Sequence, residues 1–148
     1  MNIIDLEKKL HNEIPMTKLM NLSIKSFDNK KLITQAPLDI NINDKGTAFG
    51  GSLSTITTIS AWSTLFLLSK EFKIDKANIV IINSQAKFLK PVTKDIVCET
   101  FVPSSSELQT LQEKLSSKKS ASIKICSHII EDNKVCVDFE GIYVIKII

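Results

Sequence analysis

The chain has 148 residues, of which 43% are apolar and 24% charged, and a net charge of +3. That balance excludes disordered and fibrous classes and leaves room for one core rather than two, so a single domain over residues 1–148 is expected. All 19 cationic side chains are lysines. Without the guanidinium fork that reads guanine edges and phosphates in pairs, no nucleic-acid partner is expected.

The first residues, MNIIDLEKKL, place charges where a secretory signal needs an apolar run, which predicts a cytoplasmic protein. Ile3, Leu6 and Leu10 recur at helical spacing and predict a short amphipathic helix over 3–12, ended by Pro15. The stretch IPMTKLMN allows one more helical turn, and LSIKSFDNKKLITQAPL predicts a hairpin about Phe27-Asp28-Asn29-Lys30. Pro37 opens a polar loop, LDININDKGT, that runs to Gly46.

From Gly46 to Ser69 no residue is charged. Leu53, Ile56, Ile59, Trp62 and Phe66 recur at helical intervals there, which predicts a buried helix of about five turns. Its serines and threonines between Ser52 and Thr64 return hydrogen bonds to preceding carbonyls and let a sheet approach closely. They also lower the hydrophobicity below that of a spanning segment, so no membrane association is expected.

Beyond KEFKIDK, the run ANIVIINSQAKFLKPV predicts a long strand ended or bulged at Pro91, and KDIVCETFV predicts the next. Leu108, Leu111 and Leu115 behind a serine-rich cap predict a short surface helix. KSASIKICSHII and VCVDFEGIYVIKII then form two strands joined through Glu131-Asp132-Asn133-Lys134. Helix, hairpin, buried helix, two strands, helix and two strands together predict an α+β fold. In it an antiparallel sheet of five or six strands wraps a long central helix, and a two-fold homodimer covers the edge.

Cys98, Cys126 and Cys136 lack zinc-ligand spacing and sit in apolar or alternating runs, so each is read as a reduced, packed strand residue. No metal or cofactor is expected. His11 and His128 have no ligand or triad partner visible in the sequence.

The segment Asn43-Asp44-Lys45-Gly46-Thr47-Ala48-Phe49-Gly50-Gly51-Ser52 stands at the entrance of the uncharged helix. Adjacent glycines at a helix start expose free amides at the positive end of the dipole. There they are placed to polarise a carbonyl and hold a developing oxyanion; the same glycines also serve where a loop must pack tightly.

This run resembles the hot-dog acyl-thioesterases, in particular the YiiD-type subgroup that also occurs fused behind an acetyltransferase domain. The resemblance extends to Trp62, to Phe-Leu-Lys-Pro-Val at 88–92 and to Phe-Glu-Gly-Ile-Tyr at 139–143. It implies a hot-dog fold, a dimer, and a thioester site between subunits with the acyl chain along the helix. The implied substrate is acyl-coenzyme A or an acyl-carrier protein, and pairing of dimers into tetramers stays open. In the related phenylacetyl-type enzymes the matching run reads Asn-x-x-Gly-x-x-His-Gly-Gly, with a catalytic Asp one helical stretch later. Asn43 keeps the Asn, but Phe49 replaces the His and Thr58 falls near the Asp.

The resemblance therefore implies Asn43 as orienter of water, Gly51 as amide donor, and Thr58 or Thr57 as hydrogen-bond partner of the nucleophilic water. Phe49, Gly50 and Ser52 are expected to line the substrate, and Lys87 and Lys90, on the strand leading to Pro91, either to meet coenzyme A or phosphopantetheine phosphate or to serve solubility alone. None of the aligned residues is a strong base at neutral pH, which leaves Asp39, Asp44, Asp95 and Glu99 as candidates. A binding module that holds a thioester without cleaving it is the alternative. A hydratase on the same fold needs a His with a carboxylate, for which only His128 is available.

Overall fold

Two capped helices and two tight turns set the frame of the chain, which is described over residues 1–148 in a computed structural model. The Asn2 side chain accepts the Asp5 N–H at the start of α1 (Ile3–Glu13). Ser104 does the same for Glu107 at the start of α4 (Ser105–Lys118). Between them lie α2 (Pro15–Leu19), β1 (Ser23–Phe27), β2 (Lys31–Ala36), α3 (Gly50–Glu71), β3 (Ala77–Phe88) and β4 (Ile96–Phe101), and after them β5 (Ser120–Glu131) and β6 (Lys134–Ile147). Asp132 and Asn133 at the last hairpin have φ of 51° and 61°, the paired left-handed conformation that closes a two-residue turn.

The six strands form one sheet in the order β1-β2-β4-β5-β6-β3, with every neighbouring pair antiparallel. Alternation decides which face meets the helix. In β5, Ala121, Ile123, Ile125, Ser127 and Ile129 are buried; in β6, Val137, Phe139, Tyr143 and Ile145 are. These faces close on α3, which carries no charge over residues 50–69, as a helix enclosed by a sheet requires. The helix is 22 residues long, about six turns rather than five, because Lys70 and Glu71 continue it beyond the uncharged stretch.

The core has two parts joined by α3. At one end Leu53 and Ile56 pack with Leu6 and Leu10 of α1 and with Leu22, Leu32 and Ile96. At the other, Leu65 and Leu68 pack with Ile125, Tyr143 and Ile145, and with Leu111 and Leu115 of α4.

Buried hydroxyls pair with one another between α3 and the sheet and within the sheet. Ser60 Oγ and Thr34 Oγ1 are 2.6 Å apart, and Thr100 Oγ1 and Ser127 Oγ 2.8 Å. Cys98 stands among these four hydroxyls, and its complete burial pushes the thiol up to about 11. It is a packed neutral side chain, as its strand position suggested.

β3 ends at Phe88, before Pro91. Leu89 and Lys90 both donate their N–H to the Cys136 carbonyl, at 2.8 and 3.1 Å, and this draws the chain off the strand path. β3 forms one edge of the sheet and is bulged between Ile81 and Asn83. Val80, Ile82, Phe88 and Leu89 are each more than half exposed there. Such an apolar edge is what a partner strand would cover. No helix is long and apolar enough to cross a membrane.

Candidate active site at the start of the central helix

The loop before α3 is a small hairpin. Ile42 and Ala48 form a bridge, Ala48 N–H donates to Val92 O at 2.8 Å, and Gly46 at the tip takes φ of 81°, where glycine carries no steric cost. Asn43 organises the tip. Its Oδ1 accepts the N–H of Lys45 and of Thr47 at 2.8 and 3.1 Å, and its amide donates to Thr47 Oγ1 at 2.8 Å and to Ala48 O at 3.4 Å. Both ends of the amide are thus engaged inside the loop, so Asn43 shapes the turn and has no free group for orienting a water.

Asn41, which carries no signal in the sequence, is the residue that fixes the loop to the body. It is 3% exposed, donates both amide protons to Met20 O and Pro37 O at 3.0 and 2.7 Å, and accepts Phe49 N–H on its own carbonyl at 2.7 Å. Phe49 therefore enters α3 as the N-cap at a fixed position, with extended φ and ψ of −66° and 132° and no side-chain cap.

With no cap, the amides of Gly50, Gly51 and Ser52 point out of the helix unpaired, and the first helical hydrogen bond is Leu53 N–H to Phe49 O at 3.1 Å. The two glycines differ. A Cβ on Gly50 would meet open space, whereas one on Gly51 would run into the Phe49 ring. Gly51 is glycine because Phe49 lies over it.

Rotation along α3 sorts the threonines. Seven residues are about two turns, so Thr58 lies on the same side as Gly51 about 10 Å further on, with Thr55 between. Thr58 is half-buried. Its hydroxyl is not returned to the helix, while its carbonyl accepts the Tyr143 hydroxyl at 2.7 Å. Thr57, one residue earlier, points into the core. It is fully buried and its hydroxyl bonds to Leu53 O and Ser54 O, both at 3.0 Å, so a substrate role for Thr57 is ruled out by burial.

The candidate bases each have a partner. Asp44 pairs with Lys45 at 3.0 Å, Asp95 accepts Leu38 N–H at 2.9 Å, Asp39 accepts Ile40 N–H at 2.8 Å, and Glu99 pairs with Lys31 at 3.0 Å. His128 does have a carboxylate, Asp138 at 3.4 Å. However, the pair sits on the sheet face turned away from α3, since Ser127 and Ile129 on either side are the buried residues, and a hydratase reading loses its base there. Lys87 and Lys90 are exposed near the end of β3 and form no ion pair.

The apolar side chains of α3 divide between the core and a partly buried row, Ile59, Trp62 and Phe66. Leu53, Ile56, Leu65 and Leu68 are packed against the chain's own sheet. A cleft of about 340 Å³ opens between α2 and the first turn of α3, with Phe49 and Gly51 in its wall.

Residues 3–147 match the family described as "Putative thioesterase (yiiD_Cterm)". The chain is similar to a protein of unknown function from Chlorobaculum tepidum TLS (32% identity, 96% of this chain and 92% of that one, TM-score 0.92). It is also similar to the "putative thioesterase" from Shewanella oneidensis (30% identity, 96% and 95% coverage, TM-score 0.84). A thioesterase from Haemophilus influenzae shares the fold at 16% identity, with 100% and 93% coverage and a TM-score of 0.67. A helix enclosed by a six-stranded antiparallel sheet, with a glycine pair at its open end, is thus the hot-dog fold, and the chain belongs to the YiiD C-terminal-type thioesterase family.

Proposed function

We propose that the protein hydrolyses acyl thioesters of coenzyme A or of an acyl carrier protein. The row of unpaired amides at Gly50, Gly51 and Ser52 carries this reading. Three N–H groups at the positive end of a 22-residue helix stabilise negative charge developing on a carbonyl oxygen. Water adds to the carbonyl carbon, the oxygen takes up charge against the amides of Gly50 and Gly51, and collapse breaks the C–S bond. The departing thiolate takes the proton that the water gave up. Thr58 has a free hydroxyl on the same side of the helix but about 10 Å further along it, out of reach of a water attacking a carbonyl held at the Gly51 amide of the same chain, and Asn43 acts by shaping the loop that delivers Phe49. Lys87 and Lys90 meet the phosphates of the carrier as point charges.

Phe49 and Thr58, where related enzymes have ionisable groups, favour the second reading of a module that binds a thioester and leaves it intact. Release of free thiol from acetyl- to palmitoyl-coenzyme A, with thermal shift in parallel, separates the two. Turnover is expected. Stabilisation with no thiol released from any coenzyme A or carrier-protein ester would replace hydrolysis by binding.

We also propose a homodimer paired through the β3 edge, which covers Val80 and Ile82 and walls the open side of α3. Ile82→Lys is expected to convert dimer to monomer in sedimentation analysis; an unchanged mass would place the interface elsewhere. Ile82 is 61% exposed in the single chain, so the change does not disturb the fold of the protomer.

A further inference from the structure

We infer that the cleft between α2 and the first turn of α3 holds the acyl chain of the substrate, an inference that rests on the thioester reading. Met16, Leu19, Ile40 and Phe49 form its walls, with Gly51 and Thr55 of α3 among the remaining lining residues. No lining residue is charged, in a chain that is 24% charged.

Two of its polar side chains are engaged within the chain, and Ser52 stands at the end by the amide row. Asn41 gives both amide protons to carbonyls of the chain, and Thr55 returns its hydroxyl to Gly51 O at 2.8 Å. The apolar groups are turned outward. Leu19 is 73% exposed, Phe49 56%, Met16 55% and Ile40 54%. Four large apolar side chains converging on one concavity mark a site for an apolar ligand.

Continuity with the reacting centre selects the acyl chain as that ligand. Gly51 belongs both to the amide row and to the cleft, so an acyl group whose carbonyl oxygen sits against the amides has its next carbon at the cleft mouth. Pro15 starts α2 and sets Met16 and Leu19 three residues apart on one side of its single turn, while Thr17 is buried beneath. Methionine in the wall adapts to chains of different length.

The cleft volume, at about the 30 Å³ that a small group such as water occupies, admits an acyl chain of about ten carbons. Up to that length kcat/KM is expected to rise by about fourfold per added methylene, the equivalent of about 0.8 kcal/mol each, and then to level off.

The test is Leu19→Asp, at a position exposed enough to spare the fold, with thermal unfolding as the check. The ratio of kcat/KM for decanoyl- over acetyl-coenzyme A is expected to fall by about tenfold or more. An unchanged ratio in an active enzyme overturns the cleft assignment and leaves the hydrolysis reading standing. So does a change in sedimentation mass, which would make the cleft an interface between copies. Calorimetric binding of S-decyl-coenzyme A, a thioether that cannot be hydrolysed, makes the inference independent of turnover. Weaker binding by Leu19→Asp in a protein that cleaves no thioester keeps the acyl site and discards hydrolysis; equal binding by both proteins overturns the site.

Discussion

Replacing Gly51 by alanine is expected to lower kcat/KM for an acyl thioester by about a hundredfold, while replacing Gly50 is expected to stabilise the fold slightly. The two residues are adjacent and both exposed, yet their surroundings oppose each other. A Cβ at Gly51 runs into the Phe49 ring, and Phe49 has no freedom to retreat along the backbone because its N–H is held by Asn41 O at 2.7 Å. The ring must swing aside, either across the amide row or into the cleft. Losing one well-placed oxyanion donor costs about 10²–10³ in rate, and a ring displaced over that donor acts in the same way.

Because Phe49 is already more than half exposed, moving its ring gives up little burial and the stability cost of Gly51→Ala stays below about 1 kcal/mol. At Gly50 a Cβ meets nothing, and φ is not in the left-handed region. Alanine there restricts the unfolded chain and adds about 0.4–1 kcal/mol. Steady-state thiol release and thermal unfolding on both variants provide the comparison. Gly51→Ala with activity within about threefold of wild type, below about 0.7 kcal/mol of transition-state energy, would separate the Phe49–Gly51 contact from catalysis.

The largest stability effect is expected at Tyr143. Its side chain is fully buried, next to Gly141, where any Cβ would collide with the Tyr143 and Phe139 rings. Its hydroxyl donates to the Thr58 carbonyl at 2.7 Å, and burial pushes its ionisation far above the usual tyrosine range, so it stays a neutral donor. A carbonyl has two lone pairs, so this bond adds to the helical ladder and ties β6 to the middle of α3. Tyr143→Ala removes the ring and leaves a cavity, at a cost of about 3–5 kcal/mol, a large part of the total stability of a domain this size. Tyr143→Phe removes only the hydroxyl and costs about 1–2 kcal/mol.

Urea midpoints for the two variants check these values. A loss below about 0.5 kcal/mol for Tyr143→Phe, beneath the usual worth of a buried hydrogen bond, would show that the bond is not formed in solution. The functional consequence follows from rotation. Tyr143 fixes the azimuth of α3 at Thr58, and with it the side on which the Thr58 hydroxyl and the Gly51 amide both open.

The sequence by itself determined the architecture. A stretch of helix-spaced apolar residues without a single charge has to be enclosed, and strands alternating Ala121 to Ile129 and Val137 to Ile145 supply the enclosing face. Asp132-Asn133 and Phe27 to Lys30 are turns whatever the rest of the chain does, because turn chemistry is local. The run from Asn43 to Ser52 marks free amides at the start of that helix for the same reason: a glycine pair at a helix start exposes its amides without help from distant residues.

Only the tertiary structure decided which side chains there are open and which are buried or engaged within the chain. Thr57 and Thr58 are neighbours in sequence but about 100° apart around the helix. Both are uncharged hydroxyl residues between apolar positions, and nothing in their own chemistry says which of the two faces the sheet. Asn43 reads as a free amide in a polar loop until its four hydrogen bonds close on that loop, and Asn41 has no mark at all until Met20, Pro37 and Phe49 meet around it. The cleft draws on residues 16–20, 40–41 and 49–55, three segments that chain spacing keeps apart and that folding brings together. Local patterns record the conformation of each segment; the walls of a site depend on long-range packing, which no short stretch of sequence contains.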